Sequence, residues 1–420
     1  MPRQLTLAEA GPPQSMHLSE AEAAALAATG LAMPERSASP GEWQVVAGRK
    51  VGALQIGPNL QVTVTPKVTI DRLVFMMGYA RNPDFWRDEP VRVPQHEDFT
   101  EALAHTFHRL TSRAFGQGLL HGYRTVDDSL HVVRGRIRTD DQLRQRYQMP
   151  LPIEVRYDEF SVDIAENQIL LAAVLCLLRL SRVSVETRRG LQRLRVQLAD
   201  VTQHRSGTPL PSWQASRLNA RYQPALRIAE LVLAASSFDL RASDVRIDVS
   251  GFLFDAWKIF EDFVCVALAE ALRTESGHPQ LQHRGYLDVD HAIPIEPDFT
   301  WWRGNLARAV VDAKYKMEKS NRYPNADTYQ VLAYCTALGL DEGHLIYARG
   351  EAEQRSYRVN LSPVTIHCHA LDLAGTSQDL LTRIRALAEF ICSPQPVDKC
   401  GSAPVVARTH SYARASMQQT

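Results

Sequence analysis

The chain has 420 residues, 45% of them hydrophobic and 22% charged, and its formal net charge is zero. That composition suits a globular protein of two or three domains, each able to bury a core. It excludes a global field that draws the molecule to nucleic acid, so any such attraction must come from local patches. The N-terminus carries no basic region followed by an apolar core, and the longest apolar run, residues 169–178, is too short to span a bilayer. The expectation is a cytoplasmic protein that makes no use of a membrane.

Residues 1–42 mix an alanine-rich piece with Pro, Gly and Ser and read as a flexible N-terminal extension. Order is expected from Trp43. Short strands are predicted over 43–46, 51–56 and 60–64, with Gly57-Pro58-Asn59 as the turn between the last two. Helices are predicted over 71–79 and 99–115. Two strands should flank Asp127-Asp128, the second continuing through 132–136. A polar helix over 140–147 and a strand over 153–157 come next. The apolar segment 164–182 reads as a buried helix, and 185–198 and 224–235 as further helices. Residues 43–245 thus form an N-terminal adaptor, β-rich over 43–98 and mixed and helical over 99–245.

A composition shift near 236–251 places a boundary, and 246–395 reads as an α/β domain. Its predicted order is helix 254–272, strands near 281–283, 295–301 and 307–315, helix 326–338, strands 344–347, 357–361 and 364–370, and helix 380–391. Strands interleaved with helices imply a mixed sheet covered by helices. Residues 396–420 are polar and are expected to be a flexible tail.

Two further features are ambiguous. Residues 179–227 hold ten arginines and two acids, Glu186 and Asp200. Arginines spaced along helices can contact successive phosphates, and the same residues equally suit a solvated helical face. The six cysteines show no C-x-x-C spacing, so neither a zinc ribbon nor a disulfide framework is indicated. His367-Cys368-His369 puts two histidines on one strand face, and two ligands do not make a structural zinc site.

The densest chemistry lies at Pro297-Asp298 and Asp312-Ala313-Lys314. Residues two apart on a strand share a face, so Asp312 and Lys314 should project together from an otherwise apolar run. Buried charge is costly, so these groups must pair, face solvent or hold an ion. Two carboxylates can hold Mg²⁺, and an ammonium beside them can position water or neutralise charge on phosphate. Lysine is scarce, seven against forty arginines, yet Lys314, Lys316 and Lys319 fall together. Gln330 and Tyr334 share a helix face at i and i+4 and can orient a catalytic group or a phosphate oxygen. Glu261 stands at the edge of the apolar stripe Trp257, Phe260, Val264 and could reach a metal as a third carboxylate, with Asp262 as its substitute.

Pro-Asp, then Asp-x-Lys, then Gln-x-x-x-Tyr resembles the PD-(D/E)xK nuclease superfamily in its RecB-like branch. More narrowly, residues 45–395 resemble the McrC family, the nuclease subunit of McrBC modification-dependent restriction systems. The likeness extends through Gly57-Pro58-Asn59-Leu60, Thr65-Pro66-Lys67, Arg134-Gly135-Arg136, Tyr157-Asp158-Glu159-Phe160, Phe260-Glu261 and Asp327-x-x-Gln330-x-x-x-Tyr334.

The resemblance implies a restriction-endonuclease-like fold, α/β in the C-terminal domain and α+β overall. It implies DNA cleavage with Mg²⁺, or with Mn²⁺ in its place, at Asp298, Asp312 and Lys314. Glu261, Gln330 and Tyr334 support them, and Asp298, Asp312 and Glu261 are the implied metal ligands. It implies docking on a McrB-type AAA+ GTPase hexamer that reads methylated double-stranded DNA and spends the GTP. The chain itself has no G-x-x-x-x-G-K-[ST] phosphate-binding motif. The alternatives are a stand-alone RecB-like exonuclease, a non-catalytic GTPase-activating subunit, and a plain DNA-binding module.

Overall fold

The structure is a computed structural model. It describes residues 3–88, 99–147, 149–180, 183–204, 208–235, 249–315, 325–348 and 355–392. Two compact units divide the chain, Met1–Asp71 with Val91–Phe254, and Arg72–Pro90 with Asp255–Thr420.

The first unit begins with β1 (Arg3–Ala8), β2 (Gln14–His17), α1 (Glu20–Thr29), β3 (Ala32–Arg36), β4 (Glu42–Ala47), β5 (Val51–Ile56) and β6 (Leu60–Thr65). The N-terminal segment is therefore not a flexible extension. β1 runs parallel to β6 and pairs through all six of its residues, burying Leu5 and Leu7. β2 and β3 flank β4 in a second small sheet. Ser19 and Glu22 form a reciprocal capping box at the start of α1, and Gly30 ends the helix in the left-handed region. The visible signals were the Leu5/Leu7 alternation and the Ser-x-x-Glu spacing. Alternation over six residues says nothing about which distant strand will pair with it.

The chain continues through α2 (Ile70–Arg81) and α3 (Pro83–Asp88), then α4 (Phe99–Phe115), β7 (Gly122–Leu130), β8 (Arg136–Ile137), α5 (Thr139–Gln145), β9 (Ile153–Ser161), α6 (Ala165–Leu178), α7 (Val185–Gln197), α8 (Gln223–Ala235) and β10 (Val249–Phe254). The expected pair of strands around Asp127-Asp128 is one continuous strand, β7. Register sets Asp127 opposite Arg156, whose guanidinium donates to both carboxylate oxygens at 2.5 and 2.7 Å. A cross-strand ion pair thus carries the acids through the ladder. α6 is apolar around its circumference and buried, as its composition predicts, with α7 and α8 packed on it.

The expected boundary at 246 falls short. β10 pairs antiparallel with β5, so the first unit extends to Phe254. Residues 72–88, expected in the adaptor, count with the second unit. There Phe75 and Tyr79 pack on Phe263 at centroid distances of 5.9 and 5.6 Å, and Arg72 donates to the Gly375 carbonyl at 2.6 Å. The expected tail, 396–420, lies outside the described residues.

The second unit adds α9 (Ala256–Ala271), β11 (His278–Leu281), β12 (Gly285–Tyr286), β13 (Pro294–Ile295), β14 (Phe299–Arg303), β15 (Leu306–Lys314), α10 (Asn325–Leu338), β16 (Glu342–Ala348), β17 (Arg355–Arg358), β18 (Thr365–Leu371) and α11 (Ser377–Cys392). Its mixed sheet has the order β11-β14-β15-β16-β18-β17. β15, α10 and β16 form a parallel crossover, as parallel neighbours require. α10 covers the face bearing Val310, Leu345, Tyr347, Ile366 and Cys368. Alternate residues point the other way, where α9 and α11 pack.

Three histidines lie on that second face. The expected pair His367 and His369 is joined by His344, and Phe390 of α11 packs edge-on over all three rings. His344 Nδ1 and His369 Nε2 share a hydrogen bond at 3.2 Å, one ring donating and the other accepting. Burial holds all three below the ordinary histidine pKa, His369 at about 4. A depressed pKa gives stability that is present above the unfolded value and is lost as pH falls through the folded one. For His369 the window runs from 6.5 to about 4, on the order of 3 kcal/mol. The unfolding temperature should therefore show an acid-side fall between these pH values that flattens in His369→Gln. A variant with an unchanged profile would remove the histidines from the account.

Candidate active site

Pro297 cannot donate to a ladder, so the predicted strand over 295–301 breaks into β13 and β14 with Asp298 at the break. β14 pairs antiparallel with β15, Phe299 against Val311. Asp298 stands one residue before β14, in a bend outside the ladder, where the register extended by one would meet Asp312. The two acids, fourteen positions apart in sequence, are thereby brought side by side. Asp298 Oδ2 accepts the Ala313 N–H at 2.8 Å. Asp312 is 1% exposed, and the Lys314 ammonium lies 2.5 Å from its Oδ2. Asp298, Asp312 and Lys314 are thus brought together.

The electrostatics follow from burial. Desolvation, then the charge of Asp312, pushes Asp298 up to about 8. Desolvation likewise raises Asp312, against the opposing pull of Lys314. Burial disfavours the Lys314 ammonium, and Asp312 more than offsets it. Asp312 Oδ2 has Lys314 as an ion-pair partner but no donor aligned for a hydrogen bond.

Gln330 and Tyr334 lie on α10, which covers the face carrying Asp312. Gln330 Nε2 donates to the Tyr334 hydroxyl at 2.7 Å, and that hydroxyl donates to the Glu296 carbonyl at 3.3 Å. Burial and the two aspartates raise the Tyr334 pKa, so the phenol stays protonated. It ties α10 to the residue preceding Pro297.

Glu261 is only partly gathered in. It stands on α9, which covers the opposite face of the sheet, and lines a cavity of about 370 Å³ with Asp298, Arg81, Lys258, Asp262 and Cys265. Its Oε1 is 3.0 Å from Lys258 Nζ. Among the described residues, no three His, Cys, Asp or Glu side chains are arranged to hold a metal. The implied ligand trio of Asp298, Asp312 and Glu261 is therefore not preassembled. The reason is that Asp312 points to the α10 face and Glu261 comes from the α9 side.

Asp327 was not assigned a role from sequence. It is 6% exposed in the first turn of α10 and accepts from the Tyr347 hydroxyl at 3.2 Å. Tyr347 is the register partner of Lys314, and the charge of Asp327 acts on both Asp312 and Lys314. Its i, i+3, i+7 spacing with Gln330 and Tyr334 was the available signal. Lys316 and Lys319 lie outside the described residues. The arginine-rich segment is partly structural: Arg188 donates to the Leu178 and Leu180 carbonyls, and Arg227 pairs with Glu230 and stacks on Trp213.

The oxygen-only pair fits a hard divalent cation. Mg²⁺ takes one or two carboxylates and completes its shell with water and substrate oxygens. Burial raises both acids, and the charge of Asp312 raises Asp298 further, so a divalent ion beside them would favour their ionised forms.

Among solved structures, one chain of the refined half-complex from a tetradecameric assembly of Thermococcus gammatolerans McrB AAA+ hexamers with bound McrC is similar. It has 17% identity and a TM-score of 0.59, covering 93% of this chain and 100% of that one. A chain from the cryo-EM structure of the Thermococcus gammatolerans McrBC complex aligns at 20% identity and a TM-score of 0.39, over 64% of this chain and 88% of that one. No curated protein matches. No helix among the described residues is long and apolar enough to cross a membrane. The family model for the McrBC 5-methylcytosine restriction system component matches residues 45–348, well over half of the sequence, and the chain belongs to that family.

Proposed function

We propose that this chain is the nuclease subunit of a McrBC-type restriction system, a Mg²⁺-dependent DNA endonuclease of the PD-(D/E)xK type. The observation that carries this reading is the cross-strand meeting of Asp298 and Asp312 with Lys314 on the second acid. Asp298 and Asp312 would hold the metal ion, with Glu261 as the nearest further carboxylate. Bound there, Mg²⁺ polarises a phosphate oxygen and lowers the pKa of water. Lys314 presents its ammonium beside the pair, where it orients the nucleophile or offsets charge on the phosphate. Tyr334 and Gln330 fix the Glu296 carbonyl and so the approach of Asp298. Asp327, held by Tyr347, keeps a second negative charge near Lys314.

The partner in this reading is a McrB-type AAA+ GTPase hexamer that recognises methylated double-stranded DNA. This chain stimulates its GTP hydrolysis and does not use GTP itself. The family match and the fold shared with a chain from an assembly of McrB hexamers with bound McrC support it. The test is cleavage of methylated and unmethylated plasmid with and without that partner, Mg²⁺ and GTP. Cutting only when methylation, both proteins and both cofactors are present is the expected result. Degradation of linear DNA by this chain alone would favour an exonuclease instead.

A further inference from the structure

The described part of the second unit contains two lysines, Lys258 and Lys314, in a chain with seven lysines against forty arginines. Each lies on a carboxylate of the candidate site. Lys258 precedes Glu261 by three residues and Asp262 by four, so all three share one face of α9. Its Nζ is 3.0 Å from Glu261 Oε1 and 3.0 Å from Asp262 Oδ1. All three side chains line the cavity that Asp298 lines. Asp262 is half exposed, and water screens its charge; the Glu261 side chain is 12% exposed, and its charge acts on Asp298. Burial works against the Lys258 ammonium, and the two carboxylates more than offset it. An ammonium is a compact point charge, unlike the planar guanidinium used almost everywhere else in this chain.

Resting on the metal-dependent reading above, we propose that Lys258 is a positioning residue that competes with the divalent cation for the Glu261 carboxylate. An oxygen engaged by an ammonium is a poorer donor to a metal ion. Lys258 therefore weakens cation binding through Glu261, and Glu261 joins Asp298 and Asp312 only when it exchanges Lys258 for the ion. Lys258 is then released into the same cavity, where a phosphate is its natural counter-ion.

The test is a calorimetric titration of Mn²⁺ into the full chain, which reads binding without cleavage. Lys258→Met should bind Mn²⁺ roughly tenfold more tightly than the parent. In a Glu261→Gln background the same substitution should bring no gain, and Lys258→Arg, which keeps the pairing, should stay near the parent. Equal affinities for the parent and Lys258→Met would overturn the proposal. So would an equal gain with Glu261→Gln, which would mark a general charge effect. Asp312→Asn separates the two readings. If it leaves Mn²⁺ binding unchanged, the metal-dependent reading fails and takes Lys258 with it. If it removes binding while Lys258→Met changes nothing, only the Lys258 proposal fails.

Discussion

Asp312→Ala is expected to abolish the proposed DNA cleavage, by on the order of 10³-fold or more, while leaving association with the proposed GTPase partner and its stimulation intact. The carboxylate is 1% exposed, sits opposite Asp298 and is in ion-pair contact with Lys314. Its removal takes away the proposed metal ligand and the counter-charge of the ammonium together. The fold should survive, because β15 is held by β14 on one side and β16 on the other. Plasmid cleavage measures the first effect, and co-elution with GTP turnover measures the second. A variant that still cuts at the parental rate would remove the metal site. A variant that loses both cutting and association would show that Asp312 supports the fold rather than the chemistry.

Asp298→Asn is expected to trade activity for stability. The amide has nearly the shape of the carboxyl, and its oxygen can still accept the Ala313 N–H that Asp298 accepts. It removes a carboxylate whose ionised form is disfavoured first by burial and then by the charge of Asp312, which costs stability when no counter-ion is present. The pKa is raised from 3.8 to about 8 in the folded chain. A raised pKa means stability that is full below the unfolded value and is lost as pH rises through the folded one. The difference in unfolding temperature between Asp298→Asn and the parent, measured in EDTA, should therefore be small near pH 4. It should widen toward pH 8 and level off above, while cleavage is lost at every pH. A variant less stable than the parent at pH 8 would show that the acid pair is not under strain. Such gains at the expense of function are usual where a site gathers like charges.

These two residues also show how far a one-dimensional pattern reaches. Asp312-Ala313-Lys314 lies within one strand, where the two-residue repeat puts acid and ammonium on one face without reference to anything else. Gln330 and Tyr334 are one helical turn apart and meet as expected. Pairing Asp298 with Asp312 depends on hairpin register, which sequence spacing suggested but did not set. Glu261 shows the limit most clearly. Its place at the edge of an apolar stripe pointed to the site, yet whether it joins the aspartates depends on which side of the sheet α9 covers.

The N-terminal segment failed for a related reason. Leu5 and Leu7 are buried because β1 lies beside β6, about sixty positions away, and six alternating residues hold no record of that partner. The unit boundary failed likewise, since β10 returns to β5 and residues 72–88 pack on Phe263.

By itself, then, the sequence determined what local periodicity encodes: most helices, most strands, and which chemical groups share a face of their own element. Only the tertiary structure decided which distant elements touch. It brought Asp298 opposite Asp312, placed Tyr347 between Lys314 and Asp327, and gathered three histidines beneath Phe390. Side-chain direction within an element follows from backbone geometry over a few residues, whereas neighbours across a sheet are chosen by burial summed over the whole unit.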